Sequence, residues 1–386
     1  MLAGLLALGF ASCKKQNSLG YTPGTGAPVV SSVRTLSKSL VDSITKIYTT
    51  YDSTGAASKD TVKNPPSGYT AFDSTTTTGN LNNTYEILGQ NLGSATKLTI
   101  NGVNVFFNRA LGSDSRLIFT IPSNTPYTQP QPNSIIITTL YGKVTYKFTT
   151  LPPPPTILTY NTNDFTANAE LSFTGHGFAA VTAVKLKTTG DAVTIVSQTD
   201  STITLKMPAS AATTTPLQFT YTAGANTGAT AVSEVKFNDL DNEYVIFADG
   251  YENGWFSNSW GPGAPSTAYA KTGTTSFAFT LPKGNWWADG FGNNSPLQTA
   301  GYSTLAFWIK GGLESYTLYL TADTRSGGFG NSDQSLGITV PANVWTYIQI
   351  PLTTAKLQGS EHFGLWTPGP NDQDETFYLD DVALLK

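Results

Sequence analysis

Residues 305–310 read Leu-Ala-Phe-Trp-Ile-Lys, and they show the pattern that governs the last third of the chain. Leu305, Phe307 and Ile309 occupy every second position of this segment. Successive side chains of a strand point to opposite faces of a sheet, so the spacing predicts a strand with one buried face. Comparable segments are 244–248, 275–281, 303–310, 316–322, 334–340, 345–351, 363–366 and 376–384. This many short strands predict a jelly roll of two antiparallel sheets over residues 238–386.

The same region holds every tryptophan of the chain. All seven lie between residues 255 and 366, and the first 254 residues contain none. In the adjacent pair Trp286-Trp287, one ring is exposed if the pair lies on a strand, because neighbours face opposite sides. Flat rings with polar neighbours suit the apolar faces and hydroxyl groups of sugars. The predicted glycan site consists of Trp286, Trp287, Trp260, Trp255, Trp366, Asn285 and Asp289.

Two further tryptophans have other predicted roles. Trp308 shares a strand face with Lys310, which favours a Trp308 side chain that faces solvent or a glycan-binding groove. Trp345 opens a strand and is predicted to be a core ring, as large aromatic residues mostly are.

The composition narrows the class of protein. Only 12% of the residues are charged and the formal net charge is -4, which argues against nucleic acid as a partner. Many Thr, Ser, Gly, Asn and Tyr residues with few helical segments predict an all-β chain. Cys13 is the one cysteine, so each domain must be held by its own core without an intrachain disulfide.

The N-terminus has the pattern of a secretory signal. Residues 2–12 form a short apolar run that is too short to span a bilayer as a helix. The sequence Phe10-Ala11-Ser12-Cys13 resembles a bacterial lipobox, in which the cysteine is diacylated and becomes the mature N-terminus. We therefore expect a signal peptide at 1–12, lipidation of Cys13, and a flexible tether at 13–27. The alternative is a plain secretory signal with an incidental cysteine.

Residues 28–151 predict a first β-sandwich. A strand near 27–34 is followed by a stretch at 36–80 rich in Ser, Thr, Asp and Gly, which we interpret as a long insertion or loop. Short strands separated by turns begin near residue 83. The segments that carry a family resemblance are 89–93 (Gly-Gln-Asn-Leu-Gly), 98–102 (Leu-Thr-Ile-Asn-Gly), 119–122 (Phe-Thr-Ile-Pro) and 138–142. They resemble the TIG (IPT) immunoglobulin-like domain.

A second sandwich is predicted at 152–237. Four prolines at 152–155 favour a semi-rigid spacer, and the pattern then restarts. Gly175-His176-Gly177-Phe178 stands where 89–92 stands in the first module, and later strands repeat. We interpret His176 as structural and both modules as spacers that carry no ligand site.

The last domain resembles the jelly-roll carbohydrate-binding modules. The residues that carry this resemblance are 247–255 (Phe-Ala-Asp-Gly-Tyr-Glu-Asn-Gly-Trp), 305–310, 345–352 and 377–382. With a lipobox and TIG repeats in front, the whole chain resembles a surface glycan-binding lipoprotein of Bacteroidetes type, with a C-terminal domain of the xyloglucan-binding type. The resemblance implies non-catalytic capture of xyloglucan or another β-glucan or hemicellulose at the outer membrane. It also implies a TonB-dependent glycan importer as a partner.

Three acidic residues are candidates for a structural calcium site. Asp249 and Glu252 follow the first strand of the domain and Asp380 lies on the last. In this arrangement they resemble the calcium ligands of jelly-roll modules, which would join both ends of the domain. The alternative is that they are solvated carboxylates at strand ends.

The motifs of hydrolytic enzymes are missing from the sequence. A jelly-roll glycosidase needs two carboxylates facing each other across a cleft. No Glu in the sequence is followed two residues later by Asp, so the Glu-x-Asp-x-Glu strand signature of jelly-roll glucanases is missing. The prediction is therefore a binding protein that is not an enzyme and requires no cofactor. The alternatives are a glycoside hydrolase with an unrecognised acid pair, or an adhesin that binds protein or matrix.

Overall fold

The structure, a computed structural model, describes residues 21–39, 45–51, 57–63, 69–284, 287–330, 333–369 and 372–386. It confirms the all-β prediction. Two compact units comprise residues 1–153 with 223–226, and residues 154–222 with 227–386. Within the described ranges, no helix is long and apolar enough to cross a membrane. Cys13, the expected signal peptide at 1–12 and the first part of the tether lie outside the described residues, so the lipid anchor stays a prediction.

The first unit is a β-sandwich. Its sheets have the orders β4-β1-β6-β9 and β11-β10-β7-β8, and β12 pairs with β5 in parallel. Both large sheets contribute to one core, for example through Ile87, Phe119, Ile100 and Ile137. The strands are β1 (Val29–Ser39), β2 (Thr45–Tyr51), β3 (Ala57–Lys63), β4 (Tyr69–Thr76), β5 (Thr78–Asn80), β6 (Thr84–Gln90), β7 (Ala95–Ile100), β8 (Val103–Asn104), β9 (Arg116–Thr120), β10 (Ser134–Thr139), β11 (Gly142–Lys147) and β12 (Thr149–Leu151), with a 3₁₀ turn at Arg109–Leu111.

The interpretation of 36–80 as a loop is wrong in part. β1 continues to Ser39 and pairs antiparallel with β4, from Val33↔Thr76 to Ser39↔Tyr69. Within this long pair, β2 and β3 form a further antiparallel hairpin. The many Ser and Thr residues hid the strands, although Thr, Ile and Tyr in 45–51 all favour extended backbone.

The second unit begins with another sandwich. Its strands follow the order β13-β15-β18-β17-β16-β19-β20-β14, in which β17 pairs with strands of both layers. Phe173, Leu205, Phe219 and Phe237 are buried in it. The strands are β13 (Thr156–Tyr160), β14 (Asp164–Phe165), β15 (Glu170–His176), β16 (Val181–Leu186), β17 (Ala192–Gln198), β18 (Thr202–Lys206), β19 (Thr214–Ala223) and β20 (Asn226–Asp239), with 3₁₀ turns at Phe178–Ala180 and Leu240–Asn242.

The remainder of the second unit is a two-sheet jelly roll. One sheet has the order β23-β24-β31-β26-β29, with β21 on β31, and the other β22-β25-β30-β27-β28. Phe247, Phe277, Phe291, Phe307 and Phe377 belong to the core between them. The elements are β21 (Tyr244–Phe247), β22 (Phe256–Ser257), β23 (Gly263–Ser266), β24 (Ser276–Leu281), β25 (Ala288–Gly292), β26 (Thr304–Lys310), β27 (Tyr316–Ala322), β28 (Gly337–Val340), β29 (Trp345–Pro351), α1 (Leu352–Ala355), β30 (His362–Trp366) and β31 (Glu375–Leu385).

The strands predicted for this domain are all present, within a few residues of their predicted ends. Three strands were missed, namely β22, β23 and β25. β25 reads Ala-Asp-Gly-Phe-Gly, and glycine and aspartate are poor strand formers, so its sequence resembles a loop. It is nevertheless an inner strand, between β22 and β30.

Candidate functional site

The sheet β22-β25-β30-β27-β28 has one face in the core and one facing outward. Phe291, Phe363 and Leu320 point into the core. The alternating positions therefore face outward, and the register aligns Gly290 with Gly364, which is in turn aligned with Thr321. The outward side of these three strands thus has a row of small residues across its middle.

An exposed edge borders this row. Backbone pairing with β25 continues beyond β22, because the Asn258 amide donates to Gly290 O and the Trp260 amide to Ala288 O, both at 2.9 Å. Phe256, Asn258 and Trp260 accordingly share the outward face. Phe256 is 38% exposed and Trp260 is 48% exposed. Two large apolar rings at one sheet edge are therefore open to solvent.

The glycines of β25 and β30 leave no room for side chains. A methyl group at Gly292 would lie 2.8 Å from the Phe256 ring, and one at Gly290 would lie 2.3 Å from Phe363 O. A Cβ atom does not approach other atoms so closely without a shift of the backbone or the neighbour. β25, whose sequence resembles a loop, therefore forms a flat part of this face together with β30.

Residues 329 and 330, in the connection between β27 and β28, lie over β25 and β30 on the outward face. The Gly330 amide donates to Thr321 Oγ1 at 2.7 Å, which fixes the connection on the outward side. Phe329 lies 6.2 Å from the Trp260 ring, edge to face, and 6.1 Å from the His362 ring. Since Trp260 and His362 lie on opposite sides of the Gly290–Gly364 row, Phe329 lies above that row. We call Phe256, Trp260, Phe329 and His362 the ring surface.

A carboxylate fixes the imidazole of the ring surface. His362 Nδ1 lies 3.1 Å from Asp323 Oδ2, and the same oxygen accepts the His362 amide at 2.7 Å. The contact with Asp323 uses Nδ1, so the other ring nitrogen, Nε2, lies outside this pair. An imidazole Nε2 can exchange a hydrogen bond with a hydroxyl group, which both donates and accepts.

Only one of the described predicted residues belongs to the ring surface, and that is Trp260. Trp255 is 3% exposed and donates from Nε1 to Tyr244 Oη at 3.2 Å, so it is a core ring. Trp366 is 2% exposed and donates to Asp333 O beneath the β27–β28 connection. Trp287 is half-buried against the core. Trp286 and Asn285 lie outside the described residues.

Asp289 does not face a ligand as predicted. It alternates with Gly290, so its side chain points inward, and it is completely buried. Its Oδ1 accepts the Gly261 amide at 3.1 Å, next to Trp260 in the chain. Burial raises the pKa of Asp289 to about 6, against the effect of this hydrogen bond. Asp289 thus holds the turn that carries Trp260.

The structure does not assemble Asp249, Glu252 and Asp380 into a calcium site. Asp249 accepts the amides of Thr274 and Thr275, at 2.6 and 2.8 Å. Asp380 is buried and accepts the Lys271 amide at 2.7 Å. Within the described ranges, no group of three or more His, Cys, Asp or Glu side chains could hold a metal ion. Asp249 and Asp380 instead bind segment 271–275 to the sheet.

The predictions for Trp308 and Trp345 are both wrong. Ile348 and Ile350 of β29 face the core, so Trp345 belongs to the outward set and is only half-buried. Trp308 also faces outward on this sheet, but it is buried, because the second sandwich covers it. Its Nε1 donates to Asp164 Oδ2 at 3.2 Å, while Asp164 Oδ1 accepts Tyr347 Oη at 2.9 Å.

Three residues of the ring surface were not predicted from the sequence, namely Phe256, Phe329 and His362. The period-two spacing of Phe256, Asn258 and Trp260 could have indicated a strand edge with one shared face. Phe329 and His362 gave no such signal, because only the fold brings them to Trp260.

Part of the chain matches a family model. Residues 155–237 match the IPT/TIG domain. The second sandwich, predicted at 152–237, is therefore of this type. The assignment of the first sandwich, at 28–151, to the TIG domains stays a prediction from its motifs. No curated protein matches the sequence.

The fold is similar to those of several solved structures. Surface glycan-binding protein PbSGBP-B from Prevotella bryantii is 14% identical, with a TM-score of 0.45 over 94% of this chain and 99% of that chain. SGBP-B from a xyloglucan utilization locus in Bacteroides uniformis is 15% identical, with a TM-score of 0.39 over 80% and 96%. SGBP-B of a mixed-linkage glucan utilization locus in Bacteroides ovatus, in complex with a heptasaccharide, is 13% identical, with a TM-score of 0.31 over 97% and 98%.

Proposed function

We propose that this protein binds a polysaccharide without cleaving it, and that the ring surface is the binding site. The observation that carries the proposal is the exposure of Trp260 and Phe256 on an open sheet face, beside Phe329. Monomeric proteins keep few large rings exposed together unless they bind something. The apolar face of a pyranose can stack on such rings, because stacking removes apolar surface from water.

The polar groups at this surface suit hydroxyl groups. His362, held by Asp323, brings an imidazole to this surface, and Asn258 lies between the two edge rings on the same face. The strand spacing separates Phe256 from Trp260 by about 13 Å, which is longer than one sugar ring. A chain of several sugars would therefore contact the surface in a shallow, open manner, with affinity of order micromolar to millimolar. Trp286 and Asn285 remain candidate contacts on sequence grounds.

The cellular setting is proposed from the sequence. The lipobox-like segment ending at Cys13 supports lipidation and attachment to the outer membrane at the cell surface. The family resemblance supports xyloglucan or another β-glucan or hemicellulose as the ligand, and a TonB-dependent importer as a partner. Replacement of Cys13 by Ala should move the protein from the membrane fraction to the soluble fraction, and unchanged partitioning would contradict the anchor.

Affinity electrophoresis tests the binding function. Xyloglucan, mixed-linkage β-glucan and a glucomannan are cast in native gels, and the full chain should be retarded by at least one of them. A reducing-end assay on the same polysaccharides should show no release of sugar. Retardation by none of them would contradict glycan capture and favour an adhesin, whereas release of reducing ends would favour a hydrolase.

A further inference from the structure

The β27–β28 connection contains a buried cation that the ring surface itself does not use. Arg325 lies in this connection, four residues before Phe329, and its side chain is 2% exposed. A buried charge is costly unless it is paired and hydrogen-bonded. What Arg325 contacts therefore indicates what it holds in place.

The Arg325 guanidinium joins the two ends of the connection to a neighbouring element. Nη1 donates to Thr354 O and Ala355 O in α1, both at 3.0 Å. Nη2 donates to Ser335 Oγ at 2.9 Å and lies 2.9 Å from Asp333 Oδ2. A guanidinium has donors in a rigid fork, so it can hold these groups at fixed positions, which a flexible lysine does less well.

Asp333 is itself fixed from two sides. Its Oδ1 accepts the Ser335 amide at 2.9 Å, and its carbonyl oxygen accepts Trp366 Nε1 at 3.3 Å. Hydrogen bonds from Ser335 and the nearby Arg325 charge lower the pKa of Asp333, so it remains a carboxylate. The segment that bears Phe329 is thus fastened on both sides of the ring.

We propose that Arg325 is a positioning residue for glycan binding, which acts by holding Phe329 over the Gly290–Gly364 row. The inference rests on the proposed function of the ring surface. Without the Arg325 contacts the connection samples other positions, and the observed affinity falls in proportion to the fraction of molecules with Phe329 in place. The ring itself would contact the ligand, whereas Arg325 would not.

A double-mutant cycle separates this role from a general structural one. Arg325→Met is made in the natural chain and in the Phe329→Leu variant, and binding of xyloglucan and mixed-linkage β-glucan is measured by calorimetry. We expect at least a tenfold loss of affinity from Arg325→Met in the natural chain and less than a twofold loss in the Phe329→Leu variant. A residue that acts through Phe329 loses its effect once that ring is altered. Equal losses in both backgrounds, no loss, or a gain in affinity would overturn the proposal.

Two controls complete the experiment. Lys310→Met removes another buried cation from the same domain but on the other sheet, so it should leave affinity unchanged. Asp333→Asn keeps the size of the side chain and weakens the ion pair, and it should reduce affinity in the same direction if Arg325→Met does not fold. If Phe329→Leu and Trp260→Ala leave affinity intact, the ring surface is not the site. If these variants lose affinity while Arg325→Met and Asp333→Asn do not, only the positioning role is wrong.

Discussion

The two sheets of the jelly roll each present aromatic rings on their outward faces, with different consequences. On one sheet, Trp308 and Tyr347 are covered by the second sandwich and hydrogen-bonded to the buried Asp164. On the other sheet, the rings of Phe256 and Trp260 are exposed to solvent beside β25 and β30, whose outward positions include glycines. An outward tryptophan is therefore not evidence of a ligand site until the fold shows what covers it.

The covered face is also where the second sandwich contacts the jelly roll. The sequence predicts a spacer, but Asp164 of β14 and Asn238 of β20 both bind Tyr347 of the jelly roll. Trp308 itself donates to Asp164, and within the jelly roll Lys271 lies 4.0 Å from the centre of the Trp308 ring in a cation–π contact. The second sandwich and the jelly roll are thus joined by a specific polar contact.

The largest effect should follow from removing Trp308. Trp308→Ala leaves a cavity and removes the donor to Asp164 Oδ2, and we expect it to lower the free energy of unfolding by ~3–5 kcal/mol. Denaturant unfolding followed by fluorescence measures this loss. Glycan affinity at low temperature should be unchanged, and a loss of affinity without a loss of stability would contradict the assignment of Trp308 to the covered face.

The covered face should also make stability depend on pH. Burial raises the pKa of Asp164 to about 6, from 3.8. The folded chain then binds more protons at Asp164 than the unfolded chain between these values, so the contribution of Asp164 to stability falls as pH rises from about 4 to about 6 and then levels off. The contribution is at most about 3 kcal/mol. Asp164→Asn should make the loss of stability between pH 4 and 6 less steep when unfolding is measured from pH 4 to 8, while the other buried carboxyl groups keep their part of the dependence. An unchanged pH profile would contradict the raised pKa.

On the open face, Trp260 should matter for binding and little for folding. Trp260→Ala should cost about 2 kcal/mol of binding energy, or roughly thirtyfold in affinity, as for central aromatic residues of interfaces. The melting temperature should move by only a few degrees because the ring is half-exposed. Trp345→Ala is the matched control, since Trp345 is a half-buried ring on the other sheet. Equal effects of both variants on affinity would contradict the distinction between the faces.

Phe256 should show the smallest effect. It is less exposed than Trp260 and has the Gly292 backbone beneath it. We expect Phe256→Ala to cost about 1 kcal/mol of binding energy, or roughly fivefold in affinity, as at the edge of an interface. Titration calorimetry with the same polysaccharide gives the ratio. A greater loss than for Trp260→Ala would place the centre of the site at the Phe256 end of the edge.

The sequence by itself determined the fold class and most strands of the jelly roll. Alternation at Leu305, Phe307 and Ile309 is a local property, because each side chain's direction follows from the strand backbone alone. The restart of the pattern after the four prolines likewise indicated a second module, which the IPT/TIG match at 155–237 supports. The local setting of Trp260 among Gly, Asn and Ser indicated a loop, and its ring is exposed, while its role in glycan binding stays a prediction.

Only the tertiary structure decided which rings are open. Trp255 and Trp260 stand in similar sequence, yet strand alternation sends the first into the core and the second outward. Whether an outward ring is covered depends on residues far away in the chain, as Asp164 is from Trp308 and Phe329 from Trp260. Such contacts arise when the sheets and modules pack together, and no pattern of neighbouring residues encodes them.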